Sequence, residues 1–188
     1  MAPQVTYILH EDPISAHCYK IKLTASLLNI PIQHRQYSIH NKETRTPFFI
    51  ENINAFGRIP TLQIGADLST AKFLPESNAV CFYLAETVTE SASKLQLIPS
   101  DAFERAEILR WMFFEQGHVE PSIAVVRSWT KYFGLNSEEK RAQLDGKMKA
   151  GIQALECMEG HLKGNGKEGA GVKDWFVGKG VTLADIAL

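Results

Sequence analysis

The spacing of apolar residues along this chain changes near its middle. Residues 5 to 9 (Val-Thr-Tyr-Ile-Leu) make a short apolar run of the kind buried in a sheet. The polar turn His10-Glu11-Asp12-Pro13 ends it. Ser15 then opens a helix whose apolar face is Cys18, Ile21, Leu23, Ala25, Leu28 and Ile30, closed by Pro31. A second strand is predicted around residues 32 to 37, then a polar segment from His40 to Thr46 and a short helix from Pro47 to near Asn54. Gly57 to Ile64 reads as a strand entered through Pro60, with residues 72 to 75 as its hairpin partner. Glu76-Ser77-Asn78 starts a helix carrying Ala79, Val80, Phe82, Tyr83 and Leu84. The order β-α-β-α-β-β-α predicts a mixed sheet with helices packed on it.

Beyond Pro99 the period is helical throughout. Ile108, Trp111, Met112 and Glu115 recur at spacings of three and four. Pro121 is read as starting a further turn, with Ile123, Val126 and Trp129 to bury. A helix over 137 to 162 carries the stripe Leu144, Met148, Ile152, Leu155, Met158 and Leu162. The polar, short-sided stretch Thr87 to Ser93 is the linker, and Gly164 to Gly171 is a flexible loop by composition. The predicted organisation is a first domain over 1–87, a linker over 88–102 and a helical domain over 103–188.

The totals narrow the chemistry. A net charge of −1 in 188 residues supplies no basic field for phosphates or anionic lipid, so neither nucleic acid nor a membrane is an expected partner. The start of the chain lacks the basic region of a signal sequence, and no run approaches the ~20 apolar residues of a bilayer span. Cys18, Cys81 and Cys157 are odd in number, scattered and without metal-ligand spacing. That pattern suits reduced thiols of the cytoplasm, with Cys81 and Cys157 as small core hydrophobes.

Four stretches, in order, carry a family resemblance. Asn54-Ala-Phe-Gly-Arg-Ile-Pro-Thr-Leu62 resembles the segment in which cytosolic glutathione S-transferases hold a cis-proline. Glu76-Ser77-Asn78-Ala79-Val80 is similar to their acidic-Ser helix start. Trp111 to Arg127 resembles the fourth and fifth helices of bacterial and fungal members. Trp175-Phe-Val-Gly with Thr182-Leu-Ala-Asp185 is similar to the capping box of the sixth. The resemblance implies the glutathione S-transferase fold: an α/β thioredoxin-like N-terminal domain followed by an all-α C-terminal domain.

It also implies site residues. Ser15 stands where the serine of theta-like and phi-like classes donates to the glutathione thiolate. The Ile59-Pro60 backbone would pair with the cysteinyl part of glutathione as an added strand. Glu76 and Ser77 would hold the γ-glutamyl end, and Arg45 and Arg58 the glycine carboxylate or the peptide backbone. Tyrosine-type members place their tyrosine at the position of Glu11, which cannot donate when ionised. His17, Trp111, Phe114 and His118 are candidates for the acceptor site, with core packing as the plainer role of the aromatics. The implied function is conjugation of glutathione to a small electrophile, in detoxification or specialised metabolism. Glutathione is then a co-substrate, no further cofactor or metal is needed, and a homodimer is expected.

Two departures accompany this likeness. Gly65 to Thr70 lengthens the hairpin near the γ-glutamyl pocket. The chain also stops at Leu188, about one turn into the helix that fills the second domain's core in the family. That implies a chain shorter than its relatives, or a partner subunit covering the open face. Two other functions stay open: a noncatalytic interaction module, and a thiol reductase using Cys18, whose place in the first helical turn gives it some thiolate character.

Overall fold

The computed structural model describes residues 5–88, 95–164 and 171–188. Its contacts divide the chain into two compact units, Met1–Ile98 and Pro99–Leu188. The linker predicted over 87 to 93 and the loop predicted over 164 to 171 fall mostly outside the described residues. No helix among the described residues is long and apolar enough to cross a membrane.

The first unit runs β1 (Tyr7–Glu11), α1 (Ala16–Leu27), β2 (Gln33–Gln36), α2 (Pro47–Asn52), β3 (Thr61–Ile64), β4 (Lys72–Pro75) and α3 (Ser77–Thr87). A 3₁₀ turn, Glu43–Arg45, precedes α2. This is the predicted order. The sheet is β2-β1-β3-β4, with β1 parallel to β2 and the other two pairs antiparallel. Side chains alternate between its faces. On one face Tyr7 meets the ring of Tyr83 from α3, and Glu11 meets Lys22 of α1. On the other, His10 meets Phe49 of α2. Helices therefore cover both faces, and Leu9, Ile21, Phe49, Leu62, Val80 and Leu84 close the core.

Two expectations for this unit change. The first strand extends through His10 and Glu11 rather than ending before them, because both buried polar side chains find partners. His10 hydrogen-bonds Tyr37 and Gln63, and Glu11 pairs with Lys22 and His34. In α1, Lys20 and Thr24 are buried where Leu23 and Ile30 were expected. Lys20 Nζ donates to Asn78 Oδ1 and Thr24 Oγ1 donates to the Lys20 carbonyl, which satisfies both groups inside.

The second unit contains α4 (Ala102–Phe114), a π-helical run Glu115–Ala124, α5 (Val125–Ser128), a second π-helical run Trp129–Phe133, α6 (Glu138–Leu162) and α7 (Leu183–Ala187). The helix does not restart at Pro121 but passes through it in wide π turns. Nearby side chains take up backbone carbonyls there: Ser122 Oγ donates to the His118 carbonyl, and Lys147 Nζ donates to that of Pro121 at 2.9 Å. Ile123, Val126 and Trp129 are only half-buried.

Half of the predicted stripe on α6 faces outward, while Leu144, Met158 and Leu162 are half-buried. Met148, Ile152 and Leu155 are exposed, while Gly151, Ala154 and His161 are buried. Small residues win this contact because the π-helical run comes too close for larger ones. A Cβ on Gly151 would sit 3.0 Å from Ile123 Cγ1. Cys157 is exposed rather than a core residue, whereas Cys81 is buried as expected.

The capping box of α7 is present. The Asp185 carboxylate accepts from Phe176 N, Thr182 N and Thr182 Oγ1, and Thr182 Oγ1 accepts from Ala184 N. All three tryptophans, Trp111, Trp129 and Trp175, lie in this unit, so their fluorescence reports its unfolding. Asp185→Ala should cost the second unit about 2 kcal/mol by losing these bonds. Urea titration followed by tryptophan emission measures it, and an unchanged midpoint contradicts the assigned role.

Candidate functional site

Strand register assembles the site. Thr61, the first residue of β3, is paired with His10 on one side and Pro75 on the other. β1 therefore leaves the sheet toward Ser15 at the same end where β3 enters after Pro60 and β4 exits into Glu76. β2, parallel to β1, also ends there at Gln36. The predicted glutathione residues thus gather on three loops at one end of the sheet.

The first loop is held by Asp12. Its Oδ1 accepts from Ile14 N at 3.1 Å and its Oδ2 from Ile39 N at 2.8 Å, joining the loops after β1 and β2. Ser15 is the N-cap of α1: its Oγ accepts from Cys18 N at 3.3 Å. An accepting hydroxyl keeps its own proton to donate, and here it sits at the positive end of a helix. A cavity of about 420 Å³ lies beside this loop, walled by Pro13, Ile14, Tyr37 and His40 among others. Cys18 does not have the character expected of it. It is fully buried, and burial pushes its thiol above its ordinary range despite the opposing Ser15 hydrogen bond.

At the entrance to β3 the Ile59-Pro60 bond is cis. Asn54 organises this loop. Its buried Nδ2 donates to the Arg58 carbonyl at 3.0 Å and to Thr61 Oγ1 at 3.1 Å, and its Oδ1 accepts from Phe56 N. Sequence reasoning passed over Asn54, although Asn three residues before a glycine is ordinary turn chemistry. Gly57 has φ +57°, and a Cβ there would lie 2.8 Å from the Thr44 carbonyl oxygen, so only glycine fits. Arg45 donates through Nη1 to the Phe56 carbonyl at 2.8 Å. Arg45 and Arg58 are both exposed on this loop system.

The third loop ends in Glu76, exposed and at φ +68°, followed by buried Ser77 in the first turn of α3. Ser77 Oγ lies 3.3 Å from His17 Nδ1, and Lys20 Nζ donates to Asn78. These contacts set the starts of α1 and α3 side by side. His17 is therefore packed against Ser77, while the other acceptor candidates, Trp111, Phe114 and His118, belong to the second unit.

Those candidates separate within the second unit. Trp111 is 1% exposed, enclosed by the rings of Phe114, His161 and Phe176, which makes it a core residue. Phe114 and His118 come together, with ring centroids 4.8 Å apart, on the wall of a cavity of about 470 Å³.

The family described as "Glutathione S-transferase, N-terminal domain" matches residues 9–92. The chain is 32% identical over 172 residues to the glutathione S-transferase-like protein LUC7 of Fusarium, covering 89% of this chain and 68% of that one. It is 29% identical over 121 residues to the protein URE2 of Candida albicans, covering 64% of this chain and only 34% of the other. Among solved structures, a glutathione S-transferase from Pseudomonas fluorescens superposes with a TM-score of 0.79 at 35% identity, over 96% of this chain and 80% of that one.

Beneath the site lies a buried pair with a pH signature. His10 Nε2 is 3.1 Å from Gln63 Oε1 and Nδ1 is 3.0 Å from the Tyr37 hydroxyl, an arrangement the neutral ring satisfies. Burial holds its pKa below the ordinary 6.5, with Arg35 acting the same way and the Gln63 bond opposing. The unfolded chain thus takes up this proton at higher pH than the folded one, so stability falls as pH drops below about 6.5. His10→Gln should lose less stability than the parent between about pH 8 and pH 5 by urea denaturation. Equal acid sensitivity in both would contradict a buried neutral His10.

Proposed function

The chain belongs to the glutathione S-transferase family, and we propose that it is a glutathione transferase joining the thiol of reduced glutathione to a small electrophile. The observation that carries this reading is the gathering of Ser15, Ile59-Pro60 and Glu76-Ser77 at one end of the sheet, at the starts of two adjacent helices.

Each group has a physical role. The amides of the first turn of α3 and the Ser77 hydroxyl receive the γ-glutamyl carboxylate, and Glu76 receives the ammonium. The Ile59 backbone pairs with the cysteinyl residue. Arg58 faces the glycine carboxylate together with Arg45, whose guanidinium has donors beyond the one given to Phe56. A free thiol near pKa about 8.5 is mostly protonated at neutral pH. The Ser15 hydroxyl and the α1 N-terminus favour its thiolate, which attacks the electrophilic carbon while that carbon's leaving group departs or its π pair shifts away. The residues name no particular electrophile, and detoxification and a step of specialised metabolism use the same chemistry. A cytoplasmic homodimer is part of the proposal.

A second reading keeps glutathione binding but not turnover, as an interaction module. The matched region with URE2 and the use of Ser15 as a helix cap favour it. Reduction by Cys18 is disfavoured by its burial and raised pKa.

Calorimetric titration with reduced glutathione should show binding by the parent chain and a loss of about tenfold or more for Glu76→Gln, the scale of one charge-assisted hydrogen bond. Ser15→Ala should bind glutathione within a few-fold of the parent but slow conjugation of chlorodinitrobenzene by about a hundredfold. No heat from folded parent protein would overturn the glutathione site. Binding without any turnover by the parent would select the interaction module.

A further inference from the structure

Two side-chain pairs join α1 to α3 at their starts. Lys20 Nζ donates to Asn78 Oδ1 at 3.0 Å, and His17 Nδ1 lies 3.3 Å from Ser77 Oγ. His17 and Lys20 share a face of α1 and meet consecutive residues of α3. The two pairs differ in what they can do. Lys20 is buried, and its bond ties one helix to the other. His17 is half-buried, and its partner is the hydroxyl that the transferase reading gives to the γ-glutamyl carboxylate. That hydroxyl is not spent as the N-cap of α3, a place taken by Glu76.

A serine hydroxyl has one proton and two lone pairs, and its proton turns toward whichever acceptor is offered. A carboxylate only accepts, so Ser77 helps to hold it only when that proton points at the ligand. An imidazole bare at Nδ1 would take the Ser77 proton and leave lone pairs facing the anion. An imidazole protonated at Nδ1 donates to Ser77 Oγ and leaves the proton for the ligand. The chain from N–H to O–H to carboxylate then runs in one direction, and each bond polarises the next.

We infer that His17 is a positioning residue for glutathione: its Nδ1–H donates to Ser77 Oγ and turns the Ser77 proton toward the γ-glutamyl carboxylate. This role, which rests on the transferase reading, takes His17 from the acceptor side to the recognition of one end of the tripeptide. Its consequence is specificity. Thiols that lack this carboxylate gain nothing from the oriented hydroxyl, so His17 supplies part of the discrimination against them.

Calorimetric titration with two ligands tests the role: reduced glutathione, and γ-aminobutyryl-cysteinylglycine, the same tripeptide without that carboxylate. The parent should bind glutathione about tenfold or more tightly than the analogue. His17→Leu should weaken glutathione about fivefold and leave the analogue within about twofold. His17→Asn, whose amide nitrogen donates from nearly the place of Nδ1, should return glutathione to within about twofold of the parent. In a Ser77→Ala background there is no hydroxyl to turn, and His17→Leu should cost less than about twofold. A parent that binds neither ligand, or both equally, would remove the γ-glutamyl site and this role with it. A discriminating parent whose His17→Leu variant discriminates as strongly would overturn the positioning role alone. Equal weakening of both ligands by His17→Leu would make the pair a structural tie and overturn the role as well.

Discussion

Thr61 is paired with two strands at once, opposite His10 in β1 and opposite Pro75 in β4. A slip of one residue in the β1 pairing would take Leu62 away from Leu9 and Gln63 away from its buried partner His10, because side chains alternate strictly between faces. Leu62 is fully buried opposite Leu9 and Leu74, so the apolar face enforces the register. That single alignment decides where the polar loops emerge. Ser15, Pro60 and Glu76 lie far apart in the sequence yet gather at one end of the sheet because Thr61 is flanked as it is.

The second unit is governed by closeness rather than register. Gly151 and Ala154 let α6 approach the π-helical run, and Trp111 fills the space between α4, His161 and Phe176. The Asp185 carboxylate then holds both the start of α7 and the Phe176 backbone. In each unit one short-range constraint positions groups far apart in the chain.

Local chemistry is what the amino-acid order makes legible. Ser15 as a helix cap, the hairpin partner at 72 to 75, the helix from Ser77 and the Thr182-Asp185 box depend on residues within a few positions, and each could be read directly. The burial of His10 and Glu11 could not, because their partners come from Tyr37, Gln63, Lys22 and His34 elsewhere in the chain. The middle of the α6 stripe, Met148, Ile152 and Leu155, failed for a related reason. Periodicity identifies residues that share a face, but not which face another element will cover. In the site, the polar groups of the three loops were visible largely through family resemblance, while Asn54 and Asp12, which hold those loops, were not. Their work is done through backbone groups, and backbone partners leave little trace in composition or spacing.

The central claim is that three loops at one end of the first unit's sheet bind one tripeptide. Backbone-amide NMR of the isotope-labelled chain, titrated with reduced glutathione, addresses it residue by residue. The account predicts that shifts concentrate at Ser15, at Ile59 and at the first turn of α3 from Ser77, titrating together with a single affinity. Shifts absent from all three, or confined to residues 114 to 157 of the second unit, would contradict it.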